Sequence, residues 1–172
     1  MNILNILHSG GVERYHAVIG VKPQTISEHS WGVSLIAAYI LPSISTQAVL
    51  KALTHDCAEV RTGDVPFTTK RSYPSIKVLL DGIEKVFESE NGITYKLTPL
   101  EKVVVKLSDM LEGVVYCADR YTNHGEHKAK DLVDRWLEVI NVKIQENRKI
   151  GNKILGDDEV HRVRTLISKI MA

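Results

Sequence analysis

The stretch TPLEKVVVKLSDMLEGVVY, Thr98 to Tyr116, decides the fold. Thr98 followed by Pro99 and then Glu101 has the form of a capping box with proline at the first helical position, where a missing N–H is no loss. Behind that start, Leu100, Val103, Val104, Leu107, Leu111 and Val114 recur at helical spacing, which predicts a helix from Pro99 to about Tyr121 with one face committed to a core. Asp109 leans toward that face, and Gly113, one turn on, removes bulk beside it. Alone, Asp109 would read as a solvated helix carboxylate.

The same period extends outward in both directions. Thr25-Ile26-Ser27-Glu28 is a second capping box, opening a helix near Ser27 that carries Val33, Ile36, Ala37 and Ile40 until Pro42 stops it; residues 20–24 before it read as loop. A further helix is expected from the caps at Ser43 to Thr46 through Thr62, with Val49, Leu50, Leu53, Cys57 and Val60 as its stripe and Gly63 as its stop. Asp64-Val65-Pro66 is a turn, and a third helix runs from about Ser75 to Glu90 before Asn91-Gly92. Beyond the Thr98 helix, two more are expected, Lys128 to Lys149 and Asp157 to Met171, whose stripes are core or a subunit interface. The expectation is all-α: one compact helical bundle over residues 1–172.

Composition narrows the partners. Lys+Arg 22 against Asp+Glu 21 leaves a charge of +1 over 172 residues, so no global field draws nucleic acid or an anionic membrane, and any phosphate site is local. Cys57 and Cys117 fit no CxxC pattern and make no disulfide framework, which reads as a reducing, cytoplasmic setting. The N-terminal apolar stretch lacks a basic start and is too short for a signal peptide, and no run nears the ~20 apolar residues of a membrane span.

His29 shares a face with Val33, Ile36 and Ile40, so its imidazole points inward. His55-Asp56 sets two coordinating side chains beside the stripe of the next helix, where they can meet His29; a metal would satisfy all three, and Asp109 is the available fourth ligand. Taken singly, each is an ordinary core or surface residue. Glu59, one turn past His55 on the expected helix, is near such a metal without having to bind it, as a water-orienting or acid/base carboxylate or merely an exposed one. Asp64 is either a second such group or a turn residue that bonds its own backbone.

Together, Arg14-Tyr15, Ser27-Glu28-His29-Ser30, His55-Asp56-Cys57-Ala58-Glu59-Val60, Thr62-Gly63-Asp64-Val65-Pro66 and Lys106-Leu107-Ser108-Asp109 resemble the HD-domain phosphohydrolases. Within them the chain is similar to the bacterial 5′-deoxynucleotidase branch and to the small phage dATP triphosphohydrolases. The motifs span roughly residues 10 to 120, and the helices of residues 128–172 complete the bundle or form an interface. The resemblance implies an HD-type bundle with one divalent transition metal, Co²⁺, Mn²⁺, Fe²⁺ or Zn²⁺, on His29, His55, Asp56 and Asp109. Two imidazoles and two carboxylates suit those ions, and octahedral geometry leaves positions for water and a phosphate oxygen.

It also implies hydrolysis of the 5′ phosphate ester of a 2′-deoxynucleotide by metal-activated water, with Glu59 positioning or deprotonating that water. Asp64 would supply a proton to the departing oxygen or anchor the site, and Arg14 and Lys106 would bind phosphate. Tyr15 stands where the nucleotidases commonly carry tryptophan, as a flat wall for deoxyribose. Lys70, Arg71 and Lys22 are the cations available for a longer phosphate tail, and Ser30, Thr54 and Glu28 for orienting the ligands. The substrate is then a dNTP, with dATP giving deoxyadenosine and triphosphate, or a dNMP; the short link between the His-Asp helix and the Asp109 helix leans toward the phage form. The partners implied are a small deoxynucleotide and further copies of the chain, in the cytoplasm, the host's if phage-encoded. A non-catalytic nucleotide-binding or signalling module is the alternative, disfavoured because all four ligands and Glu59 are present.

Overall fold

The Thr98 hydroxyl accepts the Glu101 N–H and the Glu101 carboxylate accepts the Thr98 N–H at 2.8 Å, so the central helix begins where the capping box puts it. The computed structural model describes residues 1–148 and 153–172. In chain order these form α1 (Ile3–Ser9), β1 (Glu13–Arg14), β2 (Gln24–Thr25), α2 (Ile26–Ile40), α3 (Thr46–Thr54), a 3₁₀ turn (Cys57–Val60), α4 (Phe67–Ser72), α5 (Pro74–Glu90), α6 (Pro99–His124), α7 (His127–Glu146) and α8 (Asp157–Ile170). The architecture is the all-α one expected. α6 is its axis, with α2 and α3 against it on one side, α7 along the other and α8 across α2 and α6. Val104, Leu107, Leu111 and Val114 of α6 are wholly buried with Ile40, Ile140, Leu155 and Val163.

Glu101 joins two helix starts. One carboxylate oxygen closes its own box, and the other accepts the Ser45 N–H at 3.0 Å, where Ser45 is the cap of α3. Gly125, at φ 69°, ends α6 a few residues beyond the expected Tyr121. α7 closes at Glu146 rather than near Lys149, which lies outside the described residues.

The largest departure from expectation lies in the helix carrying His55. It does not continue to Thr62; α3 stops at Thr54, Asp56 adopts φ −102°, ψ 6°, and the chain tightens into the 3₁₀ turn. Successive residues of an unbroken helix diverge by about 100° around the axis, and the break alters the directions in which His55 and Asp56 leave the backbone. Gly63, at φ 69°, then turns the chain out, its N–H on the Glu59 carbonyl at 2.7 Å. Residues 67–72, not expected to be helical, form α4, with Phe67 packed on Trp136 at 5.4 Å between ring centres. α1 is likewise unanticipated; it lies against the 3₁₀ turn.

Residues 20–24 are loop only as far as Pro23. Gln24 and Thr25 pair antiparallel with Glu13 and Arg14, and this small ladder sets Arg14 opposite Gln24. Cys57 and Cys117 are buried free thiols. Among the described residues no helix is long and apolar enough to cross a membrane.

Candidate functional site

α2, the α3 break and α6 bring His29, His55, Asp56 and Asp109 together. His29 Nε2 lies 3.2 Å from Asp109 Oδ1 and 3.7 Å from Asp56 Oδ2; His55 Nε2 lies 3.4 Å from Asp56 Oδ2 and 3.8 Å from Asp109 Oδ1. Donor atoms of His29, His55 and Asp109 all fall within 4.8 Å of one another. The far nitrogen of each ring is spoken for: His55 Nδ1 donates to the Ala52 carbonyl at 2.8 Å, and His29 Nδ1 donates to Glu112 Oε2. A neutral imidazole with its proton on Nδ1 carries a lone pair on Nε2, and both Nε2 atoms are buried without a hydrogen-bond partner. Two orphaned nitrogen lone pairs facing two carboxylates fit a divalent cation; without one they are a desolvated polar cluster.

The charges point the same way. Burial opposes a proton on His55, yet Asp56 and then Asp109 outweigh it and raise the imidazole to about 9, so with no cation between the carboxylates a proton on Nε2 takes that place, and a cation would displace it. Burial likewise opposes charge on Asp56 and Asp109, but His55 holds the first below its ordinary value, and Lys106 with the two histidines holds the second well below. The site is built to keep both carboxylates ionised and to want positive charge between them.

Glu59 comes from the 3₁₀ turn. Its Oε1 accepts from Lys70 Nζ at 3.4 Å, while Oε2 is buried with no partner. Burial first, then Asp56 and Asp64, raise its carboxyl to about 8, against Lys70 and Arg14. Asp64 accepts the Tyr15 N–H at 3.4 Å, tying the Gly63 turn to the end of β1. Beside these groups opens a cleft of about 390 Å³ whose wall includes His55, Asp56, Glu59 and Asp109.

Five lysines border that cleft: Lys51, Lys70, Lys77, Lys102 and Lys106. Of the cations singled out from sequence, Lys70 and Lys106 are there, Lys106 donating to Asp109 Oδ2 at 2.6 Å. Arg71, exposed on α4, is not on the cleft wall, and neither is Lys22, whose backbone is held by Glu126 and Tyr116. Lys51, Lys77 and Lys102 also border the cleft, Lys51 paired with Glu84 and Glu88 and Lys77 with Asp81; contact across helices placed them, and no local pattern announces it.

Arg14 is buried behind the cluster, donating to Gln24 Oε1 at 3.4 Å. Tyr15, at φ 61°, stacks on Tyr116 with ring centres 5.5 Å apart and turns its buried hydroxyl toward Gly113 and Cys117. A Cβ on Gly113 would stand 3.2 Å from that hydroxyl and 3.1 Å from Trp136 Nε1, so the missing bulk there is used by Tyr15 and Trp136.

Of the three residues expected to orient the ligands, Ser30 keeps a buried, unpartnered Oγ while the other two are engaged elsewhere. Glu28 is spent on the Thr25 capping box, and the Thr54 hydroxyl donates to the Leu50 carbonyl. Glu112 accepts from His29 Nδ1 instead, and Gln24 in turn donates to Glu112. Glu112 had a signal in the sequence: it sits one turn past Asp109, between Leu111 and Val114, a carboxylate at a core register.

The 5′-deoxynucleotidase YfbR-like family matches residues 4–149. A dATP triphosphohydrolase of Cyanophage S-2L is 35% identical over 117 residues, 64% of this chain and 66% of that protein, so the match spans just under two thirds of its length. Another dATP triphosphohydrolase, of Acinetobacter phage SH-Ab 15497, is 27% identical over 166 residues, 86% of this chain and 79% of that protein. Among solved structures, the Cyanophage S-2L HD phosphohydrolase (DatZ), bound to dA and one catalytic Zn²⁺ ion, superposes with a TM-score of 0.73 at 24% identity over 99% of this chain and 97% of that one, a likeness of fold. A family match over most of the chain, on the bundle that carries the His29, His55-Asp56 and Asp109 cluster, makes this protein a member of the YfbR-like 5′-deoxynucleotidase family of HD-domain proteins.

Proposed function

We propose that the protein is a metal-dependent phosphohydrolase that cleaves the P–O5′ ester of a 2′-deoxynucleotide, converting dATP and water to deoxyadenosine and intact triphosphate. The observation that carries this reading is the pair of buried imidazoles whose unpartnered Nε2 atoms face Asp56 and Asp109. His29, His55, Asp56 and Asp109 would hold the ion, as the donor set suits Zn²⁺, Co²⁺, Mn²⁺ or Fe²⁺. When bound, such an ion lowers the pKa of water and neutralises charge on the phosphoryl group.

The chain's own residues supply the rest. Glu59 Oε2, unpartnered beside the cleft, takes the proton of the attacking water. Asp64, through the Tyr15 N–H, keeps the Glu59 turn in register with Arg14 or returns a proton to O5′. Lys106 on the cleft wall and Arg14, which is buried beside the cluster and off that wall, hold oxygens of the reacting phosphate, Lys70 holds the phosphates beyond it, and Tyr15, next to Arg14 and also off the wall, bounds the sugar side. Support for triphosphate over monophosphate comes from two relatives named dATP triphosphohydrolases; Lys51, Lys70, Lys77 and Lys106 of the cleft already pair with carboxylates. The monophosphate reading is favoured by the family's own description.

One experiment separates them: the metal-loaded protein is incubated with each deoxynucleoside mono- and triphosphate and its ribose partner, and products are resolved by anion-exchange chromatography. Intact triphosphate from dATP is expected. Phosphate from dAMP with dATP untouched would give the monophosphate reading, and no turnover with any of the ions would remove the enzymatic one. We also read residues 1–172 as one domain acting in the cytoplasm as a homo-oligomer, supported by exposed Trp31, Leu35 and Val115, with sedimentation velocity as the check.

A further inference from the structure

We propose that Glu112, braced by Gln24, is a positioning residue that sets the metal ligand His29 and the phosphate ligand Arg14 from one buried carboxylate, so that the two sites are assembled as a unit. This rests on the roles read above for His29 and Arg14. Glu112 Oε2 accepts from His29 Nδ1 and lies 3.6 Å from Arg14 Nη1; Oε1 accepts from Gln24 Nε2 at 2.7 Å; and Gln24 Oε1 accepts from Arg14 Nη1 at 3.4 Å. The loop of contacts is closed. An acceptor on Nδ1 fixes the ring's proton there and leaves the Nε2 lone pair aimed at Asp56 and Asp109.

Two independent features mark Glu112 as more than a stray charge. A carboxylate only 6% exposed, on the face that α6 otherwise fills with Leu107, Leu111 and Val114, is destabilising relative to an apolar residue of similar volume unless every oxygen is matched. Opposite it, α2 carries a glycine in mid-helix. A Cβ on Gly32 would lie 2.7 Å from Glu112 Cγ and 3.3 Å from Oε1, so the helix is notched where this side chain passes. Mid-helix glycine is itself less favourable than alanine, because it gives up more backbone freedom on folding. Both departures from a simple apolar seam converge on the contact with His29.

The test uses Co²⁺, whose binding is read by equilibrium dialysis and by its visible absorption spectrum, alongside KM for dATP and thermal melting. Glu112→Leu is expected to weaken Co²⁺ affinity by about 10–100-fold and to raise KM. Glu112→Gln keeps the shape and an acceptor for His29 but no charge for Arg14; it should hold Co²⁺ within a few-fold while KM rises about tenfold or more, a split that loss of packing alone does not produce. Gly32→Ala, which alters no polar group, should shift the Co²⁺ spectrum by displacing Glu112. If Glu112→Leu is too unstable to assay, Glu112→Gln and Gly32→Ala decide alone. Wild-type Co²⁺ affinity and KM in a folded Glu112 variant, or equal losses of both in Glu112→Gln, overturn the proposal. His29→Gln is the control: if it leaves Co²⁺ affinity unchanged, the metal reading fails and takes this one with it, whereas lost affinity there with an unaffected Glu112→Leu rejects Glu112 alone.

Discussion

His55 and Asp56 are neighbours on the chain, set where the helix breaks between Thr54 and the 3₁₀ turn; with Asp109 they lie around the buried ring of His29. Asp56→Ala and His29→Ala should each abolish metal-dependent release of triphosphate or phosphate and lower metal content, while far-UV circular dichroism keeps the helical signal; turnover at the wild-type rate in either would reject the site. Glu59 tests a separate role. Its Oε2 has no partner and its carboxyl is pushed to about 8, chiefly by burial, so it can hold or release a proton near neutrality. Glu59→Gln should retain the metal yet slow hydrolysis by roughly 10²-fold or more, the scale of a general-base contribution. Metal content and turnover measured on one preparation separate the two effects.

At the scale of elements, the helix starts were the most legible feature. Thr25 with Glu28 and Thr98 with Glu101 satisfy orphan N–H groups through bonds a few residues apart, so the capping boxes of α2 and α6 can be read without any tertiary contact. The second task of Glu101, on the Ser45 N–H of α3, is long-range and invisible in sequence. Ser45 first, then Thr98, bring this carboxyl from 4.5 down to about 2. A group favoured in its charged form stabilises the fold above its unfolded pKa and loses that contribution as pH falls through the folded one, here between about 4.5 and 2. Glu101→Gln should therefore lower stability by about 1–2 kcal/mol at pH 7 and by much less near pH 2, measured by urea unfolding at both. Equal losses would show that the carboxylate charge is not what joins α3 to α6. The α3 break was not legible, because the apolar stripe through Val60 continues at helical period across it.

For the whole molecule, the consequence is that the ion and the fold support each other. The cluster draws on α2, the α3 break and α6, so a cation bound there is bound by the folded chain and not by the unfolded one. Saturating Zn²⁺ or Mn²⁺ at about a hundred times its dissociation constant should add about 2.7 kcal/mol and raise the melting temperature, with chelator reversing it. Identical melting with and without metal would mean that the four groups do not bind an ion together. By itself the sequence determined the all-α class and the places where α2 and α6 begin, and its motifs marked His29, His55, Asp56 and Asp109 as candidate ligands. Caps and helical period are local, and those ligands stand at inward registers. Only the tertiary structure decided that the His55 helix stops, that Lys51, Lys77 and Lys102 border the cleft, and that Glu112 and Gln24 stand behind His29. Those features arise where one element meets another, and side-chain period along a single helix carries no information about what its partner presents.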